Sequence, residues 1–332
     1  MDPHVIIILM GRANARRLRV DKLLVAGIDT ILGANLAAWL ANRFQVIGLS
    51  WGKSLSIAGC QTATCDPDSP EAAHHWVAME RPNWIVYCGT PAESVWNLPA
   101  PALPKPESVY VAGTWAKAAQ EFGCELSFIS SDAIFTGPWM FHRENGTCFC
   151  DSTPARILRL LEQEVCQVNP NTLLVRTNVF GWSPSHESPG LVGTILNSLS
   201  DEQPLALDCM RHATPILATD FADVLERAYQ QKLRGVHHLA GGERINPFRF
   251  ACLLADQFGL SMSNLSAVET PFENRREFGT GESSLQTRRI RKALEMPLPL
   301  IRDGVGRLYE QHMSGYRDRF GGVPQAAPEK VA

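Results

Sequence analysis

The chain is predicted to be an α/β fold: a doubly wound parallel sheet followed by a smaller C-terminal α/β substrate lobe. Three observations carry that prediction. Short apolar runs alternate with helical stretches from Lys22 to about Gly181. The runs are apolar nearly throughout, as strands covered on both faces are. The first of them ends in a glycine turn that opens a helix.

Lys22 to Ala26, KLLVA, reads as a buried strand stopped by Gly27. GANLAAWLANRF, from Gly33, has an apolar helical face; QVIGLSW is a second strand and QTATC is strand-like. SPEAAHHWVAMERP is helical, with Ser69 and Pro70 suited to the N-cap and first helical positions. NWIVYCG is the next strand. After a Pro-rich connection, Pro99 to Pro106, come the helix SVYVAGTWAKAAQEFG and the strand ELSFISS. CDSTPARILRLLEQEV is a helix whose start is marked by Ser152, Thr153 and Pro154, and NTLLVRTNVFG is a sixth strand.

Beyond Gly181 the elements shorten, as a lobe packed at the carboxyl ends of the strands would. The expected organisation is a poorly ordered basic extension over 1–20, a dinucleotide-binding domain over 21–182, a substrate lobe over 183–318 that includes any strand returning to the sheet, and a disordered tail over 319–332. A net charge of −3 supplies no broad positive field, so nucleic acid is not an expected partner. No apolar run approaches the ~20 residues that span a bilayer. The run Val5 to Met10 is shorter than a signal-peptide core, and its arginines follow it rather than precede it. A cytoplasmic protein without a membrane partner is expected. Nine cysteines in no regular spacing argue against a disulfide framework. The pairs His74/His75 and His237/His238 are adjacent rather than at ligand spacing, so no metal site is expected.

The first strand-to-helix turn reads GIDTILG, Gly27 to Gly33. In a Rossmann-type turn of the Gly-x-x-Gly-x-x-Gly kind, the glycines permit the tight turn, the approach of a pyrophosphate and close helix packing. The helix N-terminus then offers unpaired N–H groups to phosphate. Gly27 and Gly33 keep the outer positions and Thr30 holds the middle one. The candidate cofactor residues are therefore Gly27, Thr30, Ile31, Leu32 and Gly33 in the turn, and Ser50 and Lys53 after the second strand. Asp66 is placed toward an adenine, with Cys88 and Gly89 at the end of the NWIVYCG strand. GLSWGK offers neither an acid for a ribose 2′-OH nor an arginine for a 2′-phosphate, so NAD and NADP both stay open, with Lys53 favouring NADP.

Several segments in order resemble the extended short-chain dehydrogenases of the dTDP-4-dehydrorhamnose reductase family. FISSDAIFTG resembles its Ser-Thr-Asp-Tyr-Val-Phe-Asp-Gly segment, and LLVRTNVFG its Leu-Arg-Thr-x-x-Val-Tyr-Gly strand. RHATPILATDFADVLERA, GVHHLAGGERINPFRFACLLADQFG and SSLQTRRIRKAL are similar to later family segments, so the likeness runs from about Lys22 to Glu310. It implies a sugar-nucleotide reductase fold using NAD or NADP. Hydride transfer there is assisted by a Ser or Thr, by a tyrosine proton donor and by a lysine one helical turn later. Ser131 matches the Ser/Thr position. Aligning Glu162 with the family's Gly-Glu puts Pro154 at the tyrosine and Leu158 at the lysine, and no Tyr-x-x-x-Lys occurs in the chain.

The resemblance implies Asp132, Glu144, Trp182, Arg211 and Thr214 as substrate-binding candidates. His142 is the nearest substitute acid by position, while Arg156 and Cys150 are weaker candidates near the cleft. Two functions follow. One is a NAD(P)- or nucleotide-sugar-binding pseudoenzyme acting as a binding or regulatory subunit, with a protein partner or a second copy of itself. The alternative is an active NAD(P)-dependent reductase or epimerase of a nucleotide-activated sugar, using Ser131 and a non-standard proton donor.

Overall fold

In the computed structural model, residues 20–52, 54–98, 100–269 and 277–321 are described. The expected N-terminal extension and most of the expected tail lie outside them, as does Lys53. Seven strands form one parallel sheet: β1 (Lys22–Ala26), β2 (Gln45–Ser50), β3 (Gln61–Thr64), β4 (Trp84–Tyr87), β5 (Glu125–Ser131), β6 (Leu173–Thr177) and, last in sequence, β10 (Gly235–His238). Their spatial order is β10-β6-β5-β4-β1-β2-β3. Strands step outward one way from β1 to β3 and the other way from β4 onward. The order therefore reverses beside β1, which opens a crevice between the carboxyl ends of β1 and β4.

Helices cover both faces, as the apolar runs predicted. On one face α2 (Ala72–Glu80), α3 (Glu107–Phe122) and α4 (Thr153–Val168) bury Val77, Trp115, Ala119, Leu161 and Val165 against Leu24, Ile85 and Phe128 of the sheet. On the other, α1 (Ile31–Leu40) and α6 (Ala218–Gln230) bury Leu32, Leu36, Phe221 and Leu225 against Leu23, Val25 and Val86. This is the doubly wound Rossmann arrangement.

The C-terminal half is interleaved with the sheet. β10 pairs with β6, with His237 opposite Val175, and completes the sheet edge. The lobe proper contains α5 (Gly190–Ser200), α7 (Pro247–Phe258) and the parallel pair β8 (Leu205–Asp208) and β11 (Leu265–Val268). Two helices close the described chain, α8 (Arg288–Leu294) and α9 (Ile301–Met313).

Three boundaries differ from the sequence reading. The sixth strand is broken at Asn178: β7 (Val179–Phe180) leaves the main sheet and pairs with β9 (Ile216–Leu217), where the Ile216 N–H donates to the Asn178 carbonyl. α1 starts two residues before Gly33, because the Thr30 side chain caps it. α2 starts at Ala72, because Ser69 bonds the Glu71 carboxylate instead of capping a helix. Among the described residues no helix is long and apolar enough to cross a membrane.

Candidate functional site

The first turn keeps the backbone of a dinucleotide site. Gly27 has φ +100°, and a Cβ there would stand 2.1 Å from the Cys88 carbonyl oxygen. At Gly33 a Cβ would stand 2.0 Å from the Gly27 carbonyl oxygen. Both positions therefore require glycine, for conformation at the first and for closeness at both. Leu32 enters the core, while Ile31 approaches Gly190 of the lobe, whose added Cβ would meet Ile31 Cδ1 at 2.5 Å.

The groups around that floor are turned on one another. Thr30 Oγ1 donates to the Gly27 carbonyl at 2.8 Å and accepts from the Gly33 N–H at 3.0 Å. It thus takes a helix N-terminal donor that a phosphate would use. Trp51 follows β2, where a ribose-gripping residue is expected. Its indole Nε1 would lie 2.6 Å from a Cβ on Gly27, and its ring packs at 5.9 Å from Tyr87 and 6.3 Å from Trp115. Nε1 is buried and has no hydrogen-bond partner among the described residues. The Trp51 N–H donates to Asp29 in the turn at 3.1 Å. Desolvation raises the Asp29 carboxyl above its ordinary value, the Trp51 amide opposing it. Burial, and then the charge of Asp29, push Glu93 up to about 7.

These residues fit the floor of a NAD(P) site. The indole of Trp51 stands against the glycine that a ribose would approach. Ser50 is buried and donates to Ala63 O at 3.4 Å, toward β3. Asp66 is exposed and accepts the Asp68 N–H at 3.0 Å, closing a local turn. Cys88 is fully buried, and Gly89 gives room to the Tyr87 ring.

The second half of the site lies at the ends of β5 and β6. Ser131 is buried, accepts the Ala133 N–H at 3.1 Å and donates to Asp132 Oδ1 at 3.4 Å. Asp132 Oδ2 receives Ser283 Oγ at 2.7 Å and Asn178 Nδ2 at 3.1 Å, and Asn178 Oδ1 receives Ser94 Oγ at 2.8 Å. Complete burial pushes Asp132 up to about 6 against the pull of those donors. Arg211 Nη1 reaches Val95 O at 3.5 Å; desolvation lowers its pKa, and the charges of Asp208 and Asp132 oppose that. Thr214 Oγ1 accepts the Leu285 N–H at 3.1 Å. The cavity beside Ser94 and Asn178 holds about 10 Å³, room for one water at most.

On α4, Leu158 is sealed among Ile134, Phe135, Ala240 and Leu285, while Pro154 stays in the first turn behind the N-cap Ser152. Beneath them lies a buried ion pair. Arg176 Nη2 donates to Glu162 Oε2 at 2.7 Å, and Ser130 Oγ donates to Glu162 Oε1 at 2.6 Å. Glu144 serves this corner rather than opening to a ligand. Its carbonyl accepts Arg176 Nη1 at 3.1 Å and its carboxylate accepts the His238 N–H at 3.3 Å. His142 stacks on Phe135 at 4.6 Å, with its pKa lowered by burial. Burial and the Arg176 charge bring His238 down to about 3. Burial thus disfavours the imidazolium form of both, and His142 donates its Nε2–H to the Glu282 carbonyl at 3.1 Å. Trp182 lies apart, its ring 5.9 Å from His312 and 5.2 Å below the guanidinium of Arg317. Arg156 is exposed, and Cys150 is fully buried.

Residues 21–314 match the family model described as the RmlD substrate binding domain. The chain belongs to that family. The methionine adenosyltransferase 2 subunit beta of Xenopus laevis is 23% identical over 253 residues, covering 74% of each chain. Among solved structures, dTDP-4-dehydrorhamnose reductase from Bacillus anthracis in complex with NADP superposes with a TM-score of 0.74 at 17% identity, over 88% of this chain and 99% of that one. The dTDP-glucose 4,6-dehydratase of the same organism, in complex with NAD, has a TM-score of 0.70 at 10% identity, over 89% of this chain and 97% of that one. At such identities the structural likeness establishes the fold. This RmlD-family chain shares it with neighbours crystallised with either dinucleotide.

Sequence reasoning singled out neither Trp51, Asp29 and Glu93 nor Asn178 and Ser283. Trp51 had a usable signal, standing directly after β2 where a ribose contact is expected. The others come together only through the fold.

Proposed function

We propose that this RmlD-family chain is a non-catalytic binding subunit. It keeps the crevice of a nucleotide-sugar reductase and has given up the proton relay. The observation that supports this best is the closed corner around Ser131. The hydroxyl is spent on Ala133 and Asp132, the lysine position is a leucine inside an apolar cluster, and both nearby histidines are held neutral. General acid catalysis commonly supplies about 10²–10⁴-fold; Asp132, the carboxyl beside Ser131 that burial raises to about 6, is fully buried and has both oxygens engaged by Ser131, Ser283 and Asn178. The ligand the fold offers is NAD or NADP over the Gly27–Gly33 floor, or a nucleotide-sugar in the same crevice. The protein partner to test first is a methionine adenosyltransferase catalytic subunit, since the curated relative is a subunit of that enzyme.

The test incubates the purified full chain with NADH or NADPH and a 4-keto nucleotide-sugar, following absorbance of the reduced nicotinamide. No turnover is expected, together with thermal stabilisation by millimolar dinucleotide and co-elution with the transferase subunit. Turnover abolished by Ser131→Ala would overturn the reading in favour of an active reductase.

A further inference from the structure

Past the carboxyl end of the edge strand β10, with Leu285 of the β5–β6 corner on its lining, an open cavity of about 830 Å³ lies between Gly241, Gly242, α8 and Phe141. Arg288, Arg291 and Lys292 line it, spaced so that one face of α8 presents all three. No carboxylate pairs with any of them among the described residues; Glu295 is the acidic residue on the lining. Phe141 forms the opposite rim. Trp139 and Met140 precede it on the same loop, and the three are 68%, 59% and 43% exposed. Three consecutive large apolar side chains in water form a patch that asks for a partner.

The loop is held for display. Phe141 sits at φ +55°, which a bulky residue adopts only under constraint. Its N–H donates to Ser284 Oγ at 2.9 Å, and the His142 N–H donates to the Ser284 carbonyl at 2.8 Å. Rigid aromatic residues beside a basic pocket make an interface with apolar anchors and a charge-selective wall.

We propose that this cavity and the Trp139–Phe141 loop form a docking surface for an acidic protein segment carrying an apolar anchor. Carboxylates would lie along α8 and the anchor against Phe141. Charge decides the occupant. The chain's own N-terminal segment carries Arg12, Arg16, Arg17 and Arg19, which α8 repels. The C-terminal segment after Gly321 has a single acid, Glu329, beside Lys330. Neither segment offers a run of acids, so the occupant proposed is a segment of another molecule. The surface deepens the binding-subunit reading and rests on it only for the identity of the partner.

The probe is a fluorescein-labelled glutamate-rich peptide bearing one leucine and one phenylalanine, read by anisotropy against the full chain at low salt. Saturable binding is expected, weakened about tenfold by the double change Arg288→Glu/Arg291→Glu and severalfold by Trp139→Ser. These residues are exposed or line an open cavity, so unchanged thermal midpoints should confirm folded variants. Failure of the wild-type chain to bind, or equal binding by the charge-reversed variant, overturns the proposal. So does tighter binding to phosphatidylserine vesicles than to the peptide, which would mark a membrane surface. The transferase subunit gives a separate arm. Its retention by the charge-reversed variant overturns the docking surface and spares the binding-subunit reading. Its absence from the wild type, with peptide binding still lost on charge reversal, sinks that partner and spares the surface.

Discussion

On the proposed binding-subunit reading, the first turn and the β5–β6 corner both depart from the reductase pattern, but by different physical routes. At the corner the departure is built into the core. Leu158 packs in an apolar cluster, Arg176 and Glu162 pair out of water, and Asp132 collects three donors from three separate segments. At the turn the backbone remains that of a nucleotide site, and the obstruction is two side chains, Thr30 and Trp51. On that reading, a function lost to core packing needs many concerted changes to return. One lost to a side chain lying over a preserved floor needs one or two.

The largest effect should come from breaking the corner's ion pair. Arg176→Met leaves the Glu162 carboxylate buried with Ser130 as its remaining donor. Removing one partner of such a pair typically costs about 3–5 kcal/mol. Urea unfolding should therefore show a midpoint lowered at an unchanged slope, and a loss below about 1 kcal/mol would mean that water reaches the pair. Reinstalling the relay should fail for the same reason. Pro154→Tyr with Leu158→Lys puts an ammonium among Ile134, Phe135 and Leu285. Destabilisation of about 2–4 kcal/mol is expected. Nicotinamide oxidation with a 4-keto nucleotide-sugar should stay at background, and restored turnover would show that the corner is an intact active site missing two side chains.

What could be read in advance divides along the same line. The sheet was legible because each strand is a local apolar run: KLLVA, WIVY and LLVRT become β1, β4 and β6 with little change. The glycine turn was legible as a seven-residue pattern, although the Cys88 carbonyl that excludes a Cβ at Gly27 arrives only with the fold. The break of β6 into β7 at Asn178 was not, because it depends on a bond to Ile216 from a distant segment. Nor was the fate of the candidate substrate residues. Whether Glu144 faces a ligand or His238 is settled by β10, and Trp182 turns toward His312 of α9 rather than toward Arg211. Residue types can suggest a site; which polar groups have already satisfied one another emerges only from the packed chain.

The turn should yield to a single change. A dinucleotide that enters must part Trp51 from Tyr87 and Trp115, and aromatic pairs of this kind are worth about 0.5–1.5 kcal/mol each. Trp51→Ala removes that cost, so NAD or NADP should bind about tenfold more tightly or better, measured by calorimetry or ligand-induced thermal shift. Weaker binding to the variant would reverse the assignment: the unpartnered indole N–H would then be a ligand donor rather than an obstruction.

The smallest effect concerns charge at the same turn. Burial and Asp29 raise Glu93 above the usual carboxylate range to about 7, so it is neutral below that pH and adds a second negative charge beside Asp29 above it. The NAD diphosphate stays ionised across the whole range, so any change with pH comes from the protein. Affinity should fall as pH rises from 6 to 8, by a few-fold, since the charge is partly screened. Glu93→Gln should flatten that dependence while leaving the pH 6 value near wild type. A profile still steep in the variant would move the titrating group elsewhere. A flat wild-type profile would mean that the diphosphate does not lie beside Asp29, and the preserved glycine floor would then serve strand packing alone.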